Sequence, residues 1–191
     1  MKRAGSFATG MAVVAPVMLL GLVLSMLLLL DSPEPAAADC GPAVSVSVDA
    51  NTKVDGYTQE QLKNAASIMG AGKALNLSVN GQTIAVMVAL GESGLRVLDN
   101  GDAAGPDSRG LFQQRGNGAW GSYEDRMDPT RSATNFMKAL QGVAGWELLE
   151  PTIAANKVQL NADPYHYQKY WPEAVKIVQA LSTSKFSLQG S

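Results

Sequence analysis

The chain has 191 residues, 46% of apolar type, with a net charge of −2, one cysteine and one histidine. That length suits one compact domain with an extension. The lack of any basic run argues against nucleic acid as a partner, the lone cysteine rules out an intrachain disulfide, and the lone His166 leaves a histidine triad or a multi-histidine metal site little to build on.

Met1-Lys2-Arg3 is a short positive start, and residues 12–30 are apolar apart from Ser25, interrupted by Pro16 and Gly21. Ala36 and Ala38 supply the small residues of a cleavage site, so residues 1–38 read as a secretory signal, with a mature chain from near Asp39. The alternative is an uncleaved anchor, because residues 12–30 approach the ~20 that span a bilayer. On either reading Lys2 and Arg3 stay cytoplasmic. Everything after residue 38 is then extracytoplasmic, either secreted to the cell wall or tethered to the membrane through residues 12–30. Losing residues 1–38 removes Lys2, Arg3, Asp31 and Glu34, two charges of each sign, so the net −2 persists. Cys40 follows an acidic residue and has no leucine three positions ahead, which fits a bystander thiol better than a lipid anchor.

Residues 39–56 read as a linker, in which Val44, Val46 and Val48 alternate with serines as one short strand would. Thr58-Gln59-Glu60-Gln61 forms a capping box, opening a helix with Leu62, Ala65, Ala66 and Met69 on one face and Gly70 and Gly72 at its end. Asn80 is placed to cap a second helix through Leu90, apolar on most sides and so central to the core. Glu92 falls in its last turn, with Gly94 just beyond. There the helix dipole and the apolar surroundings both favour the neutral carboxyl. A neutral carboxylic acid in a cleft is what glycosidic bond cleavage requires.

Residues 95–126 are rich in Gly, Asp, Asn and Ser, which predicts a functional loop or a small β-hairpin beside that helix. Asp128-Pro129 opens a helix to about Leu140, and Glu150-Pro151 another to about Leu160. Asp163-Pro164 is expected to open a third, broken at Trp171-Pro172, followed by a last helix at Glu173–Leu181. Residues 182–191 form a polar, frayed tail. The fold class is mainly α.

Gly91-Glu92-Ser93-Gly94-Leu95, a Gly/Asp loop and then Gly110-Leu111-Phe112-Gln113-Gln114-Arg115 resemble the lytic transglycosylase and goose-type lysozyme superfamily. Trp120-Gly121, Asp128-Pro129, Gly145-Trp146-Glu147 and Tyr167–Pro172 extend the likeness. They bring it nearest to the secreted lysozyme-like domains of high-GC Gram-positive bacteria, their phages and conjugative elements, over roughly residues 57–181. The resemblance implies a lysozyme-like helical domain that cuts peptidoglycan glycan strands between N-acetylmuramic acid and N-acetylglucosamine, without cofactor or metal. Glu92 would be the general acid and base. A separate cell-wall peptidase is a conceivable partner.

Ser93 is placed to bond Glu92 or the substrate, or merely to end the helix; Gln113 and Gln114 are candidate sugar contacts or exposed polar hairpin residues; and Tyr170 is a cleft tyrosine in contact with substrate or a core residue. Asp102 and Asp107, with Asp99 less well placed, are the candidate bases if the reaction is hydrolysis. Their competing role is that of turn residues. Trp120, Trp146 and Trp171 are sugar platforms or core residues, core packing being the first reading. Tyr165 and Tyr167 share the choice offered by Tyr170, and His166 reads as a surface residue. The family's late Ala-Tyr-Asn-Ala-Gly stretch has only Ile153-Ala154-Ala155-Asn156-Lys157 here, which leaves transglycosylation and hydrolysis both open. A non-catalytic wall-binding or secretion/conjugation-associated module is the alternative.

Overall fold

The structure, a computed structural model, describes residues 48–49 and 52–183. The leader at 1–38, Cys40, the valines at 44 and 46 and the tail from residue 184 lie outside them. Within this range the chain is mainly helical, as expected. Its helices are α1 (Gln59–Ala74), α2 (Val79–Ser93), α3 (Tyr123–Met127), α4 (Pro129–Gln141), α5 (Pro151–Gln159) and α6 (Trp171–Thr183), with single 3-10 turns at Trp146–Leu148 and Gln168–Tyr170.

Helix α2 is the hub. Every residue from Gly81 to Leu90 is buried, and α1, α4, α5 and α6 all pack on it. A helix apolar on every side has no solvent face to offer, so its neighbours must surround it. It starts two residues before the predicted cap: Ser78, not Asn80, is the N-cap and accepts the Gly81 N–H. Helix α1 has the predicted capping box at Thr58 and Gln61, but it runs past Gly70 and Gly72. Those glycines serve packing instead of termination, since a Cβ on Gly72 would lie 2.6 Å from Gln82 and 3.2 Å from Met137.

Asp128 caps α4 through its Oδ1, which accepts the Thr130 and Arg131 N–H groups at 2.9 and 2.7 Å. The helix expected from Asp163-Pro164 is absent: Asp163 Oδ1 accepts the Tyr165 N–H at 2.9 Å, and the segment stays in turns up to Gln168. Trp171-Pro172 begins α6 instead of breaking a helix, because a proline in the first turn has no N–H to lose. The end of the linker is also less free than its sequence suggests. Val54 is buried and Val48 packs against the core.

No strand forms among the described residues. The hairpin expected within 95–126 is reduced to one antiparallel bridge, in which Arg109 and Gln114 exchange N–H···O bonds of 3.1 and 3.0 Å. A short helix not foreseen from the sequence, α3, follows, with its own capping box at Ser122 and Asp125. The bridged turn is seated on the core by Phe112, whose ring stacks on Phe136 of α4 at 5.0 Å between centroids.

Two amides of α1 hold the reversal that follows α2. Gln61 donates to the Gly94 carbonyl at 2.7 Å, and buried Asn64 donates to the Leu95 carbonyl at 2.9 Å. The Gln61 Oε1 also accepts the Thr58 N–H at 2.9 Å, so one side chain both caps α1 and ties it to the end of α2. Gln61→Ala removes both functions and should lower stability by about 1–2 kcal/mol. Gln61→Glu keeps the cap acceptor but not the donor, and urea unfolding should place its midpoint between those of the parent and Gln61→Ala. Equal midpoints for parent and Gln61→Ala would remove the tie from this account.

Candidate functional site

Glu92 occupies the last turn of α2, as predicted, with Gly94 as a left-handed cap at φ 61°. Its carboxyl opens into a cleft made of two cavities, of about 530 and 480 Å3. Glu92, Asp102, Ser108, Gln113 and Asn161 line both, so the acid sits where the two meet. The larger cavity continues to Trp120, Asn117 and the end of α5; the smaller continues to Leu98, Asn100 and His166.

The carboxyl is held by a distant part of the chain. Tyr167, wholly buried, presents its hydroxyl to Glu92 Oε1 and lies 2.9 Å from Asn161 Oδ1. Gly91 makes this approach possible, because a Cβ there would lie 2.8 Å from the Tyr167 ring. A phenol carries one proton, yet two acceptors face it when Glu92 is ionised. Given to Glu92, that proton favours the carboxylate, a direction opposed to that of burial.

Burial drives the Glu92 pKa upward, and hydrogen bonds from Tyr167, Gln159 and Asn161 and the charge of His166 only partly offset it. Tyr167 itself is pushed far up, first by burial and then by the Glu92 charge, so it remains a neutral donor.

The other predicted residues divide. Gln113 lines both cavities at φ 47°, a left-handed conformation unusual for a side-chain-bearing residue, and donates to the Gly110 carbonyl at 3.2 Å. Gln114 lines the larger cavity but is buried, and its amide donates to the Ser132 carbonyl at 3.0 Å. Ser93 is turned inward: its hydroxyl reaches the Leu111 carbonyl at 2.9 Å and the Ala89 carbonyl at 3.1 Å, and its oxygen accepts the Arg96 N–H. It joins the end of α2 to the bridged turn and offers nothing to the cleft.

Asp102 lines both cavities, with Oδ1 accepting the Ala104 and Gly105 N–H groups at 3.0 and 2.8 Å. Asp107 lines neither. It pairs with Arg115 and accepts the Gly116 N–H at 2.7 Å, bonds that hold its carboxyl below the usual range. Asp99 pairs with Arg109 at 2.9 Å. Tyr170 packs against Gly91, with the Lys169 ammonium 5.0 Å from its ring centre, and lines neither cavity, while the tyrosine that meets Glu92 is Tyr167. His166 is half-buried in the cleft wall, edge-on to Tyr167 at 4.8 Å, instead of out on the surface.

Gln159, Asn161 and buried Arg126 were not legible as site residues. Gln159 donates to the Phe112 carbonyl at 3.1 Å, linking α5 to the Gln113 turn. Arg126 donates to the Asp107 and Gln114 carbonyls at 2.8 and 3.2 Å and so braces the loop that roofs the cleft. The tyrosine-rich stretch at 165–170 was a usable signal for Tyr167. Nothing local marks the other three. No group of His, Cys, Asp and Glu among the described residues has a metal-binding arrangement.

A third cavity, of about 390 Å3, is lined by Met87, Pro151, Trp171 and Pro172 and shares no residue with the cleft. No helix among the described residues is long and apolar enough to cross a membrane. No protein-family model matches the chain, and no curated protein matches it. What fold and site define is a small helical domain with one carboxyl of raised pKa at the meeting point of a two-armed polar cleft.

The raised pKa makes folding stability depend on pH. Below the ordinary carboxyl value of 4.5, folded and unfolded chains both carry the Glu92 proton. As pH rises the unfolded chain releases it first, so stability falls until the folded-state pKa is passed. Glu92→Gln should therefore raise the thermal midpoint more at about pH 7.5 than at about pH 4. The same difference at both pH values would mean that Glu92 is not a perturbed acid.

Proposed function

We propose that the protein cleaves glycosidic bonds in the glycan strands of peptidoglycan, between N-acetylmuramic acid and N-acetylglucosamine, with Glu92 as general acid and then base. The observation that carries this reading is the placement of Glu92. A carboxyl whose pKa burial raises, backed by a neutral phenol, faces a polar cleft that extends to either side of it. The order of the Glu92-Ser93 and Gly110–Gln114 motifs supports the same class, that of lytic transglycosylases and lysozyme-like muramidases.

In the first step Glu92 delivers its proton to the bridging oxygen as the bond from the muramyl C1 to that oxygen breaks. In the second, the Glu92 carboxylate takes the proton of the muramyl C6 hydroxyl while O6 closes on C1. The proton is then back on Glu92, no water is consumed and the product is a 1,6-anhydro sugar. Tyr167 suits both steps, since its hydroxyl donates to the carboxylate and accepts from the acid. Hydrolysis instead requires a base for water, at about 6.5–9.5 Å from the acid in an inverting enzyme. Asp107 lines neither cavity, which leaves Asp102 as the other carboxylate lining both, with one oxygen already held by two amides. The route that uses one carboxylate is the better supported.

Mass spectrometry of the soluble products from purified peptidoglycan tests this. Anhydro-muropeptides are expected from the parent, with Glu92→Gln slower by at least about 100-fold. Reducing-end products would redirect the mechanism to Asp102. Absence of products from the parent, or equal products from Glu92→Gln, would sink the catalytic reading and favour a wall-binding module.

Tyr167→Phe gives a second check. Losing the donor that favours the carboxylate should move the alkaline limb of the pH–rate profile upward. An unmoved limb would separate Tyr167 from the titration of Glu92, and a lowered one would mean that the phenol favours the acid and not the carboxylate.

A further inference from the structure

In the proposed reaction Glu92 alternates between acid and carboxylate, and its surroundings resist the carboxylate. Burial opposes that charge most strongly, and Glu92 takes part in no ion pair among the described residues. Arg115 lines the larger cavity but is paired with Asp107. In the smaller cavity His166 is the one residue, among those described, that can carry a positive charge.

Packing fixes the imidazole. Its ring stands edge-on to Tyr167, 4.8 Å between centroids and 89° between planes, and lies 6.5 Å from the Tyr170 ring. The His166 backbone N–H donates to the Asp163 carbonyl at 3.2 Å, which holds the turn. Tyr167 meets Glu92 through its hydroxyl, so imidazole and carboxyl rest against the same tyrosine. Other charges near the ring are committed. Asp102, in the same cavity, has one oxygen held by two amides, and Asp163 accepts the Tyr165 N–H. The Lys169 ammonium sits 5.0 Å from the Tyr170 ring centre. Histidine is the side chain that ordinarily changes charge between about pH 5 and 8, and the His166 charge acts on Glu92 in favour of the carboxylate.

We propose that His166 is a positioning residue, supplying the counter-charge for Glu92 once its proton has been delivered and so setting its strength as an acid. His166 keeps its own proton throughout, and no bond to it forms or breaks. Without that charge Glu92 is a weaker acid that holds its proton to higher pH. The rate plateau then falls while the alkaline limb rises, whereas a packing defect lowers the plateau and leaves the limb in place. The consequence for rate rests on the proposed glycan cleavage; the coupling itself is measured without substrate.

An NMR titration of the Glu92 carboxyl, identified by the loss of its signal in Glu92→Gln, reads that coupling. The midpoint should rise by about half a pH unit or more in His166→Gln and in His166→Phe, which keeps a ring without the charge. In His166→Lys it should stay at or below that of the parent. On peptidoglycan, His166→Gln should cut kcat about three- to tenfold with the alkaline limb moved upward, and His166→Lys should retain most of kcat. An unmoved midpoint in His166→Gln, an equal rise in His166→Lys, or a lower kcat with an unmoved limb would overturn the proposal. If the midpoints shift as expected but the parent releases no product, the coupling stands and the catalytic reading fails.

Discussion

The constraint on which the rest of the structure depends is the burial of α2 up to its final turn. Ten consecutive buried positions, from Gly81 to Leu90, deliver Glu92 to a site where desolvation outweighs the hydrogen bonds offered to its carboxylate. The acid cannot shift to relieve this, because the chain around it is pinned. Ser93 is bonded to Leu111, Gly94 to Gln61 and Leu95 to Asn64. A group buried in this way remains protonated at a higher pH than its solvated counterpart, and that property is the basis of the chemistry proposed for it.

Backbone strain gathers around the same point. Leu95, Gln113 and Leu160 all have positive φ, at 61°, 47° and 57°, and the latter two line the cleft. Such conformations cost on the order of 1 kcal/mol or more each and persist where packing over-determines them. Leu95 is wholly buried, Gln113 follows the core residue Phe112, and Leu160 ends α5 directly after Gln159, which donates to the Phe112 carbonyl. The end of α5 and the bridged turn are thus tied together, and their strained residues bring Gln113 and Asn161 to the acid.

The loop that roofs the cleft contributes charge mainly by neutralising its own. Arg115 pairs with Asp107, Arg109 with Asp99, and Arg126 spends its donors on loop carbonyls. With those groups engaged in holding the loop, the cleft presents amides, a serine and an indole beside the carboxyls of Glu92 and Asp102. This suits a ligand bound by hydroxyl and amide groups better than one steered by long-range fields, in keeping with a net charge of only −2.

The sequence by itself determined the helices with strong end signals, Thr58 with Gln61 and Asp128 with Pro129, along with the apolar central helix and the carboxyl at its end. Each depends on residues within a few positions of one another, where capping and periodicity act. Only the tertiary structure decided which tyrosine meets Glu92, that Ser93 turns inward and Asp107 lines neither cavity, and that Asn161, Gln159 and Trp120 border the cleft. Tyr167 is 75 residues from Glu92 and reaches it from a segment that stays in turns up to Gln168. Asn161 comes into place only because Leu160 takes a left-handed cap. Such choices depend on how distant segments compete for one volume, which no local pattern records.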